Sequence, residues 1–105
     1  MSEASAKNYA VEIVEGLEAN PPEDIYDYLE GGLDFQWVVS KHEGKPEVRR
    51  AGVMIAFGGP TAWLWTNGTA FWVDANWASE SASIPGFREE FAAELFDVLV
   101  ELFQS

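Results

Sequence analysis

The chain contains no cysteine and only one histidine, His42. Without thiols there can be no disulfide and no thiolate metal site. Apolar runs are also short, far below the roughly 20 residues needed to cross a bilayer. The N-terminus lacks the basic-then-apolar layout of a secretory signal. These absences predict a soluble intracellular protein with no membrane partner. Basic residues are scarce too: six Lys and Arg stand against eighteen Asp and Glu, a formal charge of −12 over 105 residues. A small domain ordinarily carries a net charge of about 2 to 8. An excess of this size disfavours direct contact with nucleic acid or an anionic membrane.

Catalytic signatures are missing as well. His42 lies in a turn between charged residues, the setting of an ordinary surface histidine. No Ser or Thr sits in a nucleophile elbow, and no Asp-x-Asp or His-x-x-Glu spacing suggests a metal. Asp34 and Asp74 fall on predicted strands, with nothing nearby to act as an electrophile. Gly58-Gly59-Pro60 is not followed by the Gly-Lys-Ser/Thr of a phosphate loop and reads as a tight turn. The expectation is a protein that is not an enzyme and uses no cofactor.

What the chain does have is apolar and aromatic. Hydrophobic residues make up 48%, with five Trp, seven Phe and three Tyr, enough for one modest core across residues 1–105. The stretch from Ala51 to Trp77 organises the rest. Asn67-Gly68 is a strong hairpin signal, because a type I′ turn needs positive φ at both central residues. A two-residue loop there pairs Thr66 with Thr69, Leu64 with Phe71 and Trp63 with Trp72. Upstream, Gly58-Gly59-Pro60 separates the run Val53–Phe57 from the next strand.

Before that stretch, residues 3–19 read as a helix with Ala6, Tyr9, Ala10, Ile13 and Leu17 on one stripe. Asn20-Pro21-Pro22 ends it. A second, short helix follows, opened by Pro22 with Glu23 and Asp24 and stopped by Gly31-Gly32. From Leu33 the period becomes two, with Leu33, Phe35, Trp37 and Val39 inward. Lys41–Pro46 is a turn, and a strand from Val48 runs to Phe57. Beyond Trp77, the small polar segment Ala78–Ser83 reads as a loop. Pro85 opens the last helix, with Ser83 as its nearest cap and Phe87, Phe91, Leu95, Val98, Leu99 and Leu102 inward.

The predicted fold is α+β, in the order α-α-β-β-β-β-α: a four-stranded antiparallel meander with its helices on one face. Its core joins Phe35, Trp37, Val53, Ile55, Phe57, Leu64, Phe71 and Val73. The face without helices then carries Met54, Trp63, Trp65 and Trp72. Left open, these four form an apolar patch suited to a homodimer; otherwise they are covered, or stabilise the sheet as cross-strand pairs.

The charge is unevenly placed. Residues 1–34 carry a net −8, residues 35–50 a net +2, and the remainder −6. The helices are therefore acidic and the first hairpin basic. Glu90, Glu94, Asp97 and Glu101 recur every three or four residues, so successive carboxylates climb by about 5 to 6 Å. Glu23, Asp24, Asp27 and Glu30 form a second row. Such rows suit a cationic partner that normally grips phosphates; salt adaptation or simple solubility is the competing explanation.

Leu33-Asp34-Phe35, Met54 through Pro60, the aromatic strand ending near Trp77 and Ser83-Ile84-Pro85 before an acidic helix together resemble a group of small acidic proteins of phages and other mobile elements. Thr61 stands where that group tends to carry asparagine. Some small acidic proteins of such elements are anti-CRISPR proteins. The resemblance implies a bacterial host cytoplasm and a non-enzymatic inhibitor. As a DNA mimic it would occupy the DNA-binding surface of a CRISPR effector complex and so block target recognition. An antitoxin or anti-restriction protein would follow the same charge logic against another enzyme.

Overall fold

A computed structural model of the chain describes residues 5–105. Helix α1 runs Ala6–Ala19, capped by the Ser5 hydroxyl, which accepts from the Asn8 amide at 3.1 Å. The part of the expected helix before Ser5 lies outside the described residues. Helix α2 is a short Ile25–Leu29 turn, with Asp24 as its cap, accepting from the Asp27 amide at 3.2 Å. Pro22 therefore lies ahead of the helix and not in its first turn. Five strands follow: β1 Asp34–His42, β2 Lys45–Ala56, β3 Pro60–Thr66, β4 Phe71–Trp77 and β5 Glu80–Pro85. Helix α3, Glu89–Gln104, closes the chain. Among the described residues no helix is long and apolar enough to cross a membrane.

The sheet is an antiparallel meander in the order β1-β2-β3-β4-β5. It has one strand more than expected, giving the order α-α-β-β-β-β-β-α. The extra strand is the Glu80–Pro85 segment, read above as mostly loop. Its pairing with β4 is continuous from Trp77 opposite Glu80 to Trp72 opposite Pro85. Small residues suffice there because α1 packs over β5 and only Ala82 and Ile84 reach the core. The last helix starts at Glu89 and not at Pro85. Arg88 is its cap residue, with no side-chain hydrogen bond to the helix start, so Ser83 has no capping role.

Asn67-Gly68 does not form the two-residue turn. Thr66 pairs with Phe71, Leu64 with Val73 and Trp65 with Trp72, while Trp63 faces Asp74. The reason lies in the Asn67 side chain, whose Oδ1 accepts from the amides of Thr69 (3.0 Å) and Ala70 (2.9 Å) and closes a longer loop. The Thr66 hydroxyl donates to the Ala92 carbonyl at 2.8 Å and accepts from the Gly68 amide at 3.1 Å, fastening that loop to α3. A shift of two residues preserves which side of the sheet each side chain takes.

α1 and α3 pack on one face of the sheet. The core gathers Val53, Leu64, Phe71 and Val73 with Val14, Leu17, Phe91, Leu95 and Leu99, and takes in Phe35, Trp37 and Ile55 at its margin. The Trp37 indole donates to the Leu99 carbonyl at 2.7 Å, fixing β1 under α3. Phe57 leaves the expected core: the register slips between Met54 and Ala56, Ala56 takes the inward place opposite Ala62, and Phe57 is 75% exposed in the turn. Phe87 is 82% exposed because it precedes α3. Leu33 lies outside β1 and is exposed, as is Val39 past a register break after Val38.

Candidate functional site

Two surfaces carry the candidate residues. The first is acidic. Glu23, Asp24, Asp27 and Glu30 on or beside α2 are all exposed, as are Glu90, Glu94, Asp97 and Glu101 on α3. α2 packs against α3, which brings the two acidic segments side by side. Tyr26 crosses between them, donating its hydroxyl to Glu101 Oε1 at 2.6 Å. At the other end, Pro21 and Pro22 meet Phe87, Glu90 and Glu94 around a cleft of about 510 Å3.

Ion pairing does not neutralise these rows. Among the described residues the ion pairs are His42 with Glu43, Arg49 with Glu47, and Arg88 with Glu18. None involves the eight carboxylates. Four of the six cations lie on β1 and β2, at Lys41, Lys45, Arg49 and Arg50, and none of them pairs with a helix carboxylate among the described residues. Arg88 also donates to the Glu18 carbonyl, and the Phe87 amide donates to the Glu18 carboxylate, which pins the start of α3 to the end of α1.

The eight carboxylates divide by what else they do. Asp24 caps α2. Asp27 and Glu90 sit in the first turns of their helices, where the dipole favours a negative charge. Glu94 and Asp97 have no such role. Glu101 lies near the C-terminal end of α3, where the dipole opposes a carboxylate and the last turn holds no basic residue. Its hydrogen bond raises the Tyr26 pKa above the ordinary tyrosine value, with Coulombic repulsion from Glu101 and Asp24 adding to it. Tyr28, packed against the core, is raised by burial.

Tyr26 and Phe87 are site residues that the sequence reading passed over. Both are exposed aromatics set among carboxylates, the pairing of anchor and charge typical of protein interfaces. An odd tyrosine in an acidic segment was the available signal for Tyr26. Phe87 gave none, because it fits the apolar period of α3.

The second surface is the helix-free side of the sheet. Met54, Trp63 and Trp72 are half-buried there, while Trp65 is only 9% exposed although no helix covers it. Gly52 lies opposite Trp65, and a Cβ on Gly52 would come within 2.7 Å of the indole. The ring therefore lies flat on bare backbone. Trp63 stacks beside it at 5.8 Å and 22°, and the Arg50 guanidinium sits 5.4 Å from its centroid. The direct cross-strand partner of Trp72 is thus Trp65, and not Trp63 as expected.

Among the described residues no group of three or more His, Asp and Glu side chains is arranged to hold a metal ion. No protein-family model, curated protein or solved structure matches the chain.

Proposed function

We propose that the protein is a non-enzymatic inhibitor whose α2–α3 face docks onto a cationic, phosphate-binding surface of a partner and excludes DNA from it. One observation carries this reading: α2 and α3 pack side by side and their eight carboxylates are exposed, with no cation within ion-pairing distance among the described residues. From Glu90 to Glu101 the α3 row extends about 16 Å, at 1.5 Å per residue. Anions at that pitch displace the counterions of a basic groove much as a phosphate backbone does. Charge alone speeds encounter more than it holds a complex; Tyr26 and Phe87 supply the apolar contact that slows release.

The resemblance read from Met54 through Pro60 and Ser83 through Pro85 makes a CRISPR effector the first partner to test. An antitoxin or anti-restriction protein would use the same face against a different enzyme. The test is competition: a guide-loaded effector is mixed with labelled target duplex, and the protein is titrated in. The proposal expects DNA binding to fall as the protein is added, with the effect weakening steeply in salt. Substituting Glu94 and Asp97 by Lys should then raise the concentration needed by about tenfold or more. Full DNA binding at saturating protein removes this effector as the target. Inhibition untouched by the Lys substitutions removes the acidic face as its cause.

A further inference from the structure

The helix-free face has its own charge pattern, independent of the acidic helices. Arg50, Gly52 and Met54 succeed one another along β2 on that side. Gly52 lies opposite Trp65, which lies opposite Trp72; Met54 lies opposite Trp63, which lies opposite Asp74. Arg50 therefore stands one step beyond this grid on β2, and Asp74 one step the other way on β4. Trp65 is the midpoint between them. Asp74 is half-buried, and among the described residues it makes no ion pair or side-chain hydrogen bond, while Arg50 touches only the Trp65 ring. Both charges are unneutralised on either side of an aromatic centre.

We propose that this face binds a second copy of the chain, sheet to sheet, around a two-fold axis through Trp65. An axis lying in the plane of the face, at right angles to the line from Arg50 to Asp74, exchanges the two positions. Arg50 of each copy then meets Asp74 of the other, and the two Trp63–Trp65–Trp72 clusters pack against each other. A self-complementary patch of this kind is what a two-fold interface requires. Trp63, Trp72 and Arg50, which keep exposed surface around the nearly buried Trp65, are of the residue types that dominate interface energetics.

Size and repulsion both permit it. Five strands about 4.8 Å apart, over the seven-residue length of the central β3 and β4 at about 3.3 Å each, cover roughly 550 Å2 per copy, so the pair buries roughly 1,100 Å2. That value is just below the usual range for stable complexes and gives a reversible, concentration-dependent dimer. The net charge of −12 on each copy opposes association, but the acidic helices lie on the outer sides of the stack. Across two sheets and two helix layers they are roughly 30 Å apart, several Debye lengths at physiological salt. Asp34, exposed on β1 in the same row as Asp74, remains at the rim.

Sedimentation velocity across low- to high-micromolar concentrations tests the proposal on the full chain. Wild type should shift from monomer to dimer. Asp74→Arg should weaken the dimer by about tenfold or more, as should Arg50→Asp, because each creates facing like charges. Combining the two exchanges the charges and should restore dimerisation towards the wild-type value. Asp74→Lys, which leaves the Arg50–Trp65 contact untouched, guards against a packing artefact, and circular dichroism checks that each variant is folded. A monomer at every concentration, or a dimer unaffected by the single substitutions, overturns the proposal. The Lys substitutions at Glu94 and Asp97 should leave the dimer intact, so failure here and failure of the acidic-face reading are separable.

Discussion

Tyr26 and Glu101, 75 residues apart in sequence, are joined by a 2.6 Å hydrogen bond from the phenol to the carboxylate. It spans the contact at which the two acidic helices pack. It also places a carboxylate where α3 would otherwise repel it, since Glu101 sits near the negative end of the helix dipole.

The bond has a pH signature. The neutral phenol is the donor, so folding raises the Tyr26 pKa above its unfolded value near 10. The stabilisation is fully present below that unfolded value and is lost as pH rises through the higher folded one. Tyrosinate absorbance during alkaline titration should show Tyr26 ionising later than an ordinary tyrosine. In Tyr26→Phe its share of this late component should disappear, leaving that of Tyr28, which burial raises. Replacing Glu101 by Gln should bring the Tyr26 titration back towards the ordinary value.

Gly52 is needed for what it lacks. Any Cβ there meets the Trp65 indole at 2.7 Å, and the ring has Trp63 and Arg50 on its other sides. Gly52→Ala should destabilise the protein by about 1 to 3 kcal/mol, the usual cost of overpacking. Urea unfolding gives that figure. Tryptophan emission should move to longer wavelength as Trp65 lifts into solvent.

Thr66 is the single buried polar residue among those described, and its hydroxyl bridges the β3–β4 loop to α3. Thr66→Val keeps the shape and leaves the Ala92 carbonyl and the Gly68 amide without their partner. The expected loss is about 1 to 3 kcal/mol in chemical denaturation. Thr66→Ser, which retains the hydroxyl, should recover part of it.

Much of this architecture is legible along the chain, and the exceptions share a cause. The faces of β2, β3 and β4 follow from two-residue alternation, and they survive a wrong hairpin partner because Asn67 lengthens the loop by an even number of residues. Strand β5 is hidden because Ser81, Ala82 and Ser83 show no strand-like apolar pattern; its place is set by α1 and β4, which are distant in sequence. Phe57 is misassigned because the register slip after Met54 leaves no mark in the residues themselves. The acidic rows of α2 and α3 are visible from their spacing. That the two helices pack side by side, with Tyr26 on Glu101 and Phe87 beside Glu90 and Glu94, is a product of tertiary packing and invisible to any local pattern.

The central claim is that the α2–α3 carboxylates bind a phosphate-gripping partner. Its most direct measurement is the affinity for a guide-loaded effector as a function of salt, with Glu23, Glu30, Glu94 and Asp97 replaced together by Lys. Asp24, Asp27, Glu90 and Glu101 are kept, because they cap a helix, favour its dipole or hold Tyr26. The account predicts an unchanged melting temperature, an affinity reduced by about a hundredfold or more, and a flattened salt dependence. Equal affinity with the same salt slope in the folded variant would contradict it.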